Sequence, residues 1–166
     1  MIFLTGVFVV AASLVGQNGI AIPDDLGKSL EHSGEFADLI NVGVTTITED
    51  NVTGVSFAGQ NLSGAIITRS NASGADFSGA NLSGAVLDAS NFTGANFSGA
   101  NLTGATIKDS NMSGANFNGA CLEGVTIFAS SFAEADLTGA NLTGAETQFS
   151  NLEAADMTGV LRDGNC

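Results

Sequence analysis

The chain has 166 residues, including 22 glycines and one proline, and its formal net charge is −13. This acidity excludes simple electrostatic binding to nucleic acid and disfavours charge-based docking on anionic lipid, because both need clustered lysine and arginine. Frequent glycine, spread evenly among small and apolar residues, predicts an internal repeat rather than a disordered tract.

Residues 1–21 form an apolar segment that differs from the rest of the chain. Residues 1–16 carry no charge, and the run has a length suited to a signal peptide or, if extended, to a membrane anchor. Gly19 and Ala21 are small residues at the spacing of a cleavage site after Ala21, although no lysine or arginine precedes the apolar run. We expect an export signal, or an anchor that contacts the membrane through residues 1–22. A buried helix of the domain is the alternative.

Residues 22–46 are predicted to form a short N-terminal helical cap. Pro23 and the two aspartates after it suit the first turn of a helix. Apolar residues then follow at loosely helical spacing as far as Ile40. His32 has no identifiable catalytic partner, and we interpret it as a surface residue. The cap would cover the N-terminal strand edge of the region that follows.

From residue 47 onward the sequence repeats every five residues. Every fifth residue from Ile47 to Met157 is large and apolar, apart from Ala72 and Thr147, and the residue two before it is usually alanine or serine. A period of five fits neither a helix nor an alternating strand. Asparagine or aspartate between the two inward residues, with glycine after them, supplies a turn in each unit. The pattern predicts a solenoid.

Side-chain types also recur every twenty residues, which predicts four units per turn. The recurring sets are Leu62, Leu82, Leu102, Leu122 and Leu142; Phe57, Phe77, Phe97 and Phe117; and Ser70, Ser90, Ser110, Ser130 and Ser150. Each residue should therefore lie about 4.8 Å above the residue twenty places earlier, which is the spacing between strands of a sheet.

The units 75–79, 80–84 and 100–104 read ADFSG, ANLSG and ANLTG. They resemble the consensus of the pentapeptide-repeat family. The resemblance covers residues 47–160 and implies an all-β fold, a right-handed quadrilateral β-helix. It implies little about function, because the members of the family rarely share one.

The sequence contains no pattern typical of catalysis. We find no phosphate-binding loop, no Ser–His–Asp set and no cluster of metal ligands, and therefore expect no enzyme activity, no cofactor and no metal. The many Asn-X-Ser/Thr triplets arise from the repeat itself.

One face of the predicted solenoid differs from the other three, which carry a uniform polar coat. Its outward positions hold apolar side chains and both basic residues of the repeat region, which predicts a docking surface for a protein partner. The candidate interface residues are Ile66, Arg69, Val86, Lys108, Phe128 and Phe149. The alternatives are that this face packs under the N-terminal segment or is merely variable.

The two cysteines are Cys121, at an outward position, and Cys166, in the tail of residues 161–166. Leu161 should lie two turns above Cys121, about 10 Å away. The tail is long enough to fold back and bring Cys166 near Cys121. This predicts a disulfide if the compartment is oxidising, and two free thiols otherwise.

Two functional hypotheses follow. The resemblance includes exported, non-enzymatic proteins of the thylakoid lumen in cyanobacteria and plastids. We therefore expect an extracytoplasmic scaffold, in the thylakoid lumen or alternatively the periplasm, that binds a membrane protein complex such as a photosynthetic one.

The alternative is a DNA-mimicking protein that inhibits or protects a topoisomerase such as gyrase. The acidity of the repeat favours it. The acidic column Asp76, Asp136 and Asp156 is interrupted by Asn96 and Asn116, which counts against it.

Overall fold

The computed structural model describes residues 19–21 and 44–166. Within them the chain forms one seven-stranded sheet of parallel strands in chain order. The strands are β1 (Gly19–Ala21), β2 (Val44–Thr48), β3 (Ile66–Thr68), β4 (Val86–Asp88), β5 (Thr106–Lys108), β6 (Thr126–Phe128) and β7 (Glu146–Gln148). Among the described residues there is no helix long and apolar enough to cross a membrane.

From β2 onward each strand pairs with the strand twenty residues later. Ile67 pairs with Leu87, and Ile107 pairs with Ile127. The other three sides of the solenoid are joined by isolated bridges with the same offset, such as Asn96 to Asn116. The twenty-residue turn expected from the sequence is therefore confirmed, and the solenoid has four sides. We call the side formed by β2–β7 the β face.

The interior is a continuous column of apolar side chains with no solvent exposure over most of its length. Phe57, Phe77, Phe97 and Phe117 stack on the side opposite the β face, with ring centroids 4.8–4.9 Å apart and interplanar angles of 3–7°. Small residues such as Ala95 and Ala115 fill the corners and are also fully buried. Phe77 and Phe97 are in contact, as the predicted stacking requires.

The predicted N-terminal segments fall largely outside the described residues, which exclude 1–18 and 22–43. Two details can be compared. Gly19–Ala21, which precede the predicted cleavage point, form β1 and pair with Val44–Thr46. The sequence predicts that residues 44–46 belong to the helical cap, but in the structure they begin β2. β-Branched residues favour the extended backbone, which explains the earlier start of the strand.

Candidate protein-docking face

The β face presents two outward columns of side chains, one on each side of the buried central residue of each strand. Ile66 is 39% exposed, and Val86, directly above it, is half-buried. On the other side of the central residue, Lys108 is exposed and Phe128 is half-buried. Successive side chains in a column are separated by the strand spacing of about 4.8 Å.

The corner that follows the β face carries side chains where the other corners mostly carry glycine. Its six residues all have positive φ angles of 48–59°: Glu49, Arg69, Ala89, Asp109, Ala129 and Phe149. At the other three corners the matching positions are glycine except at Glu134 and Ala154. Since a side chain disfavours this left-handed conformation, glycine would be the most stable residue here, yet none of six successive turns has it at this corner.

The same corner is closed by serine hydroxyl groups. At the other three corners the amide of the small residue donates to the carbonyl three residues before it, as from Ala80 to Phe77 at 3.0 Å. Here the amide of Ser90 donates instead to Oγ of Ser110, in the turn above, at 3.1 Å. That hydroxyl donates in turn to the carbonyl of Lys108 at 2.9 Å. The bonds repeat along the column, so we call this corner the serine corner.

The N-terminal half of this surface is charged. Arg69 Nε lies 2.8 Å from Glu49 Oε1, and Lys108 Nζ lies 3.3 Å from Asp109 Oδ2 and 3.9 Å from Asp88 Oδ1. Both basic residues proposed for the interface are thus engaged with acidic neighbours. Exposed pairs of this kind contribute little stability.

The C-terminal half is aromatic. The rings of Phe128 and Phe149 meet edge to face with centroids 5.5 Å apart, and Phe149 is 84% exposed. Ile66 and Val86 lie two or more turns below this pair, with Lys108 in the turn between. The six interface residues predicted from the sequence therefore occupy one face and its corner. Ile66 and Val86, however, lie among the charged residues of the N-terminal half, apart from the aromatic pair.

The C-terminal tail lies against a neighbouring side of the solenoid. Cys121 and Cys166 are joined by a disulfide, with Cα atoms 5.8 Å apart. The side chain of Asn141 is buried under the tail, and its Nδ2 donates to the carbonyl of Gly164 at 3.4 Å. Glu123, which the sequence argument did not single out, lies beside the two sulfur atoms.

A profile of pentapeptide repeats matches eight copies within residues 51–159, more than half of the chain. The chain belongs to the pentapeptide-repeat family. Members of this family are generally structural or interaction proteins rather than enzymes, and act through protein contacts. No curated protein sequence matches the chain significantly.

Solved pentapeptide-repeat structures are similar to this one. The full-length plasmid-mediated fluoroquinolone resistance protein QnrB1 aligns with a TM-score of 0.65 and 20% identity, over 70% of this chain and 62% of QnrB1. A pentapeptide-repeat protein from the thylakoid lumen of Arabidopsis thaliana aligns with a TM-score of 0.49 and 27% identity, over 72% of this chain and 79% of that protein. The likeness to QnrB1 supports the fold. The chain spans less than two thirds of QnrB1.

The outward asparagines and aspartates of this pentapeptide-repeat protein serve its turns. Asn96 Oδ1 accepts from the amide of Ser98 at 3.1 Å, and Asn96 Nδ2 donates to Asp76 Oδ1 in the turn below at 3.0 Å. In the same column, bonds from the hydroxyl and the amide of Thr158 lower the pKa of Asp156. Aspartate and asparagine thus have the same structural role here, which explains why both occur in this column and no continuous acidic stripe forms.

Proposed function

We propose that this protein is a non-enzymatic scaffold that docks a protein partner on the β face and the adjoining serine corner. The observation that carries the proposal is the column of six residues with side chains at positive φ. Glycine would adopt this conformation without strain, and it does so at most other corners. Side chains retained at a conformational cost, along a single edge, are typical of a functional surface.

The aromatic pair, with its exposed member Phe149, supplies the anchor of this surface. Phe149 projects from a corner held by the solenoid, so binding would order few additional groups. Large apolar side chains at the centre of an interface commonly carry most of its binding energy. The paired charges at the other end of the face would orient the partner rather than hold it.

A photocrosslinking experiment tests this proposal. Phe149 is replaced by a photoreactive phenylalanine analogue in the source organism, and Thr138, on the opposite side, is replaced in a matched control. We expect one discrete protein adduct from position 149 and none from position 138. The adduct should be lost in a Phe128→Ser background. Equal labelling from both positions, or no adduct from position 149, would overturn the proposal.

We further propose that the protein is exported and works at a membrane, with the thylakoid lumen and a photosynthetic membrane complex as the specific setting. The apolar segment 1–21 supports export, and a disulfide requires an oxidising compartment. Cleavage after Ala21 would remove β1 and expose the edge of β2, so the strand pairing favours a retained anchor.

Fractionation and N-terminal sequencing of the native protein test this location. We expect recovery with lumen-side membranes and an intact segment through Ala21. A cytosolic monomer would contradict the location, and a mature chain beginning at Ile22 would contradict the anchor but not export.

Gyrase binding through DNA mimicry is the second candidate. The acidity of the repeat supports it, and the fold of QnrB1 is similar. The interruption of the acidic column by Asn96 and Asn116 disfavours it. A supercoiling assay separates the candidates, because the docking scaffold should leave gyrase activity unchanged.

A further inference from the structure

The C-terminal tail brings Cys166 next to two side chains of the solenoid that are more than forty residues earlier in the sequence. The Sγ atoms of Cys121 and Cys166 and a carboxylate oxygen of Glu123 all lie within 4.8 Å of one another. The two cysteines are 45 residues apart and do not form a zinc-binding sequence motif. The solenoid and the returning tail create this proximity in three dimensions. We infer that the reduced form of this cluster is a binding site for Zn²⁺ or a similar thiophilic divalent cation.

Cys121 interrupts a column in which the three turns below it and the turn above it carry asparagine: Asn61, Asn81, Asn101 and Asn141. In the turns above and below, Asn141 and Asn101 accept a hydrogen bond through Oδ1 from the amide two residues later, at 2.9 and 3.0 Å. A cysteine sulfur is a poor substitute for that oxygen. The asparagine column therefore gives up a turn-stabilising bond at the one place where Cys166 and Glu123 converge.

Each sulfur also has a hydrogen-bonding neighbour. Thr103 Oγ1 lies 3.1 Å from Cys121 Sγ, and Asn141 Nδ2 lies 3.3 Å from Cys166 Sγ. Such contacts contribute little to a disulfide, whose sulfurs are uncharged, but hydrogen bonds to thiolates are strong. Around a metal, outer groups of this kind orient the ligands and raise affinity.

The surroundings leave room for an ion. An open groove of about 160 Å³ borders both cysteines and is lined further by Asn141, Leu161 and Asn165, whereas Glu123 lies beside the sulfurs but does not line the groove. Residues 161–166 are exposed, so the sulfur atoms could separate after reduction without disturbing the buried core. A tetrahedral zinc site with Zn–S distances of about 2.3 Å needs the sulfurs under about 4 Å apart.

The disulfide and the metal exclude each other. A dithiol reductant supplies two electrons and two protons, breaks the Sγ–Sγ bond and becomes a disulfide itself. Zn²⁺ then displaces the two thiol protons and is bound by two thiolates and the Glu123 carboxylate, with water completing the tetrahedron. The acidic charge of the chain further favours a cation. None of this depends on the proposed docking role.

Zinc titration of the full chain tests the inference. Protein reduced with a phosphine under argon is titrated with Zn²⁺ by calorimetry and with Co²⁺ by absorption spectroscopy. We expect one ion per chain, thiolate-to-cobalt charge transfer, and no binding to the oxidised protein. Glu123→Gln should weaken binding about tenfold or more, and Asn141→Ala, which removes an outer donor, about 10–100-fold. Cys166→Ser should abolish the charge-transfer band.

Glu153→Gln is the matched control, since Glu153 holds the same position in its repeat unit but has no cysteine nearby. It should bind Zn²⁺ like the wild type. The inference is overturned if reduced wild type binds Zn²⁺ no more tightly than Cys166→Ser, if Glu123→Gln and Glu153→Gln behave alike, or if the folded protein resists reduction by a dithiol. Cys166→Ser alters only the exposed tail, so circular dichroism should show an intact fold.

Discussion

Three corners of the solenoid and the serine corner solve the same geometric problem in different ways. At the three β-turn corners, glycine takes the positive φ and the turn is closed by a backbone bond such as that from Ala100 to Phe97. At the serine corner, a residue with a side chain adopts the positive φ, and the backbone amide of the serine donates a hydrogen bond to the serine hydroxyl of the turn above. The first solution depends only on one turn, whereas the second links successive turns.

The difference shows where the repeat is free to vary. A β-turn corner is self-sufficient, and its outward residues are largely committed to holding it. At the serine corner the hydroxyl column holds the backbone from inside, so the residues outside are released for other uses. This explains why apolar, acidic and basic side chains all occur along the β face while the fold stays regular.

The largest expected effects test whether core residues on the two sides contribute equally to the free energy of unfolding. Phe97, opposite the β face, and Ile107, beneath it, are both fully buried. Phe97→Ala should cost about 3–5 kcal/mol of unfolding free energy and Ile107→Ala about 2–5 kcal/mol, because each leaves a cavity. Urea denaturation followed by circular dichroism measures both.

Phe97→Leu is the control, since leucine already occupies this column at Leu137. It should cost clearly less than Phe97→Ala. If Ile107→Ala were tolerated while Phe97→Ala was not, the two sides would not share one core. A difference between their corners could then not be assigned to the corners alone.

Removing a serine hydroxyl should weaken the serine corner specifically. Ser110→Ala leaves the amide of Ser90 without its acceptor in a buried position, which should cost about 1–3 kcal/mol. Ser98→Ala, on the opposite side, removes a hydroxyl that closes no corner and should change stability by less than about 0.5 kcal/mol. The hydrogen-exchange rate of the Ser90 amide should rise only in Ser110→Ala. Equal effects of the two variants would contradict a stabilising role for the serine hydroxyl bonds.

Much of this could be predicted from the sequence, because a strict twenty-residue recurrence allows only one stacking of the turns. The recurrence of serine every twenty residues was visible in the sequence too. Its role in closing the turn was not, because that hydrogen bond depends on backbone angles. The absence of glycine at positions 49, 69, 89, 109, 129 and 149 was a readable signal that the sequence argument did not use. Glu123 follows Cys121 by two residues, so the predicted return of the tail was a signal for its nearness to Cys166, but the distance itself depends on the path of a tail outside the repeat.

Adding a side chain at a β-turn corner should cost less than losing a serine. Gly99 has a φ of +61°, and a Cβ built on it meets nothing within 4 Å. Gly99→Ala therefore adds the backbone cost of the left-handed conformation, about 1–2 kcal/mol, while the smaller freedom of alanine in the unfolded chain offsets part of that cost. We expect a net destabilisation of about 0.5–1 kcal/mol. Thermal unfolding measures it. A neutral result would show that positive φ is not costly in this solenoid and would remove the main support for the docking face.

The reverse change at the serine corner should have the smallest effect and the opposite sign. Ala89 has a φ of 50°, so Ala89→Gly relieves the same conformational cost, while the extra freedom of glycine in the unfolded chain offsets part of the gain. We expect a net stabilisation of about 0.5 kcal/mol by urea denaturation, with crosslinking from position 149 unchanged. Ala89 has a small side chain that offers little surface to a partner. Its backbone strain would then be a consequence of the corner geometry, and partner binding would depend on the larger side chains of the same corner. A loss of crosslinking in Ala89→Gly would instead mean that the partner reads the backbone of the whole corner.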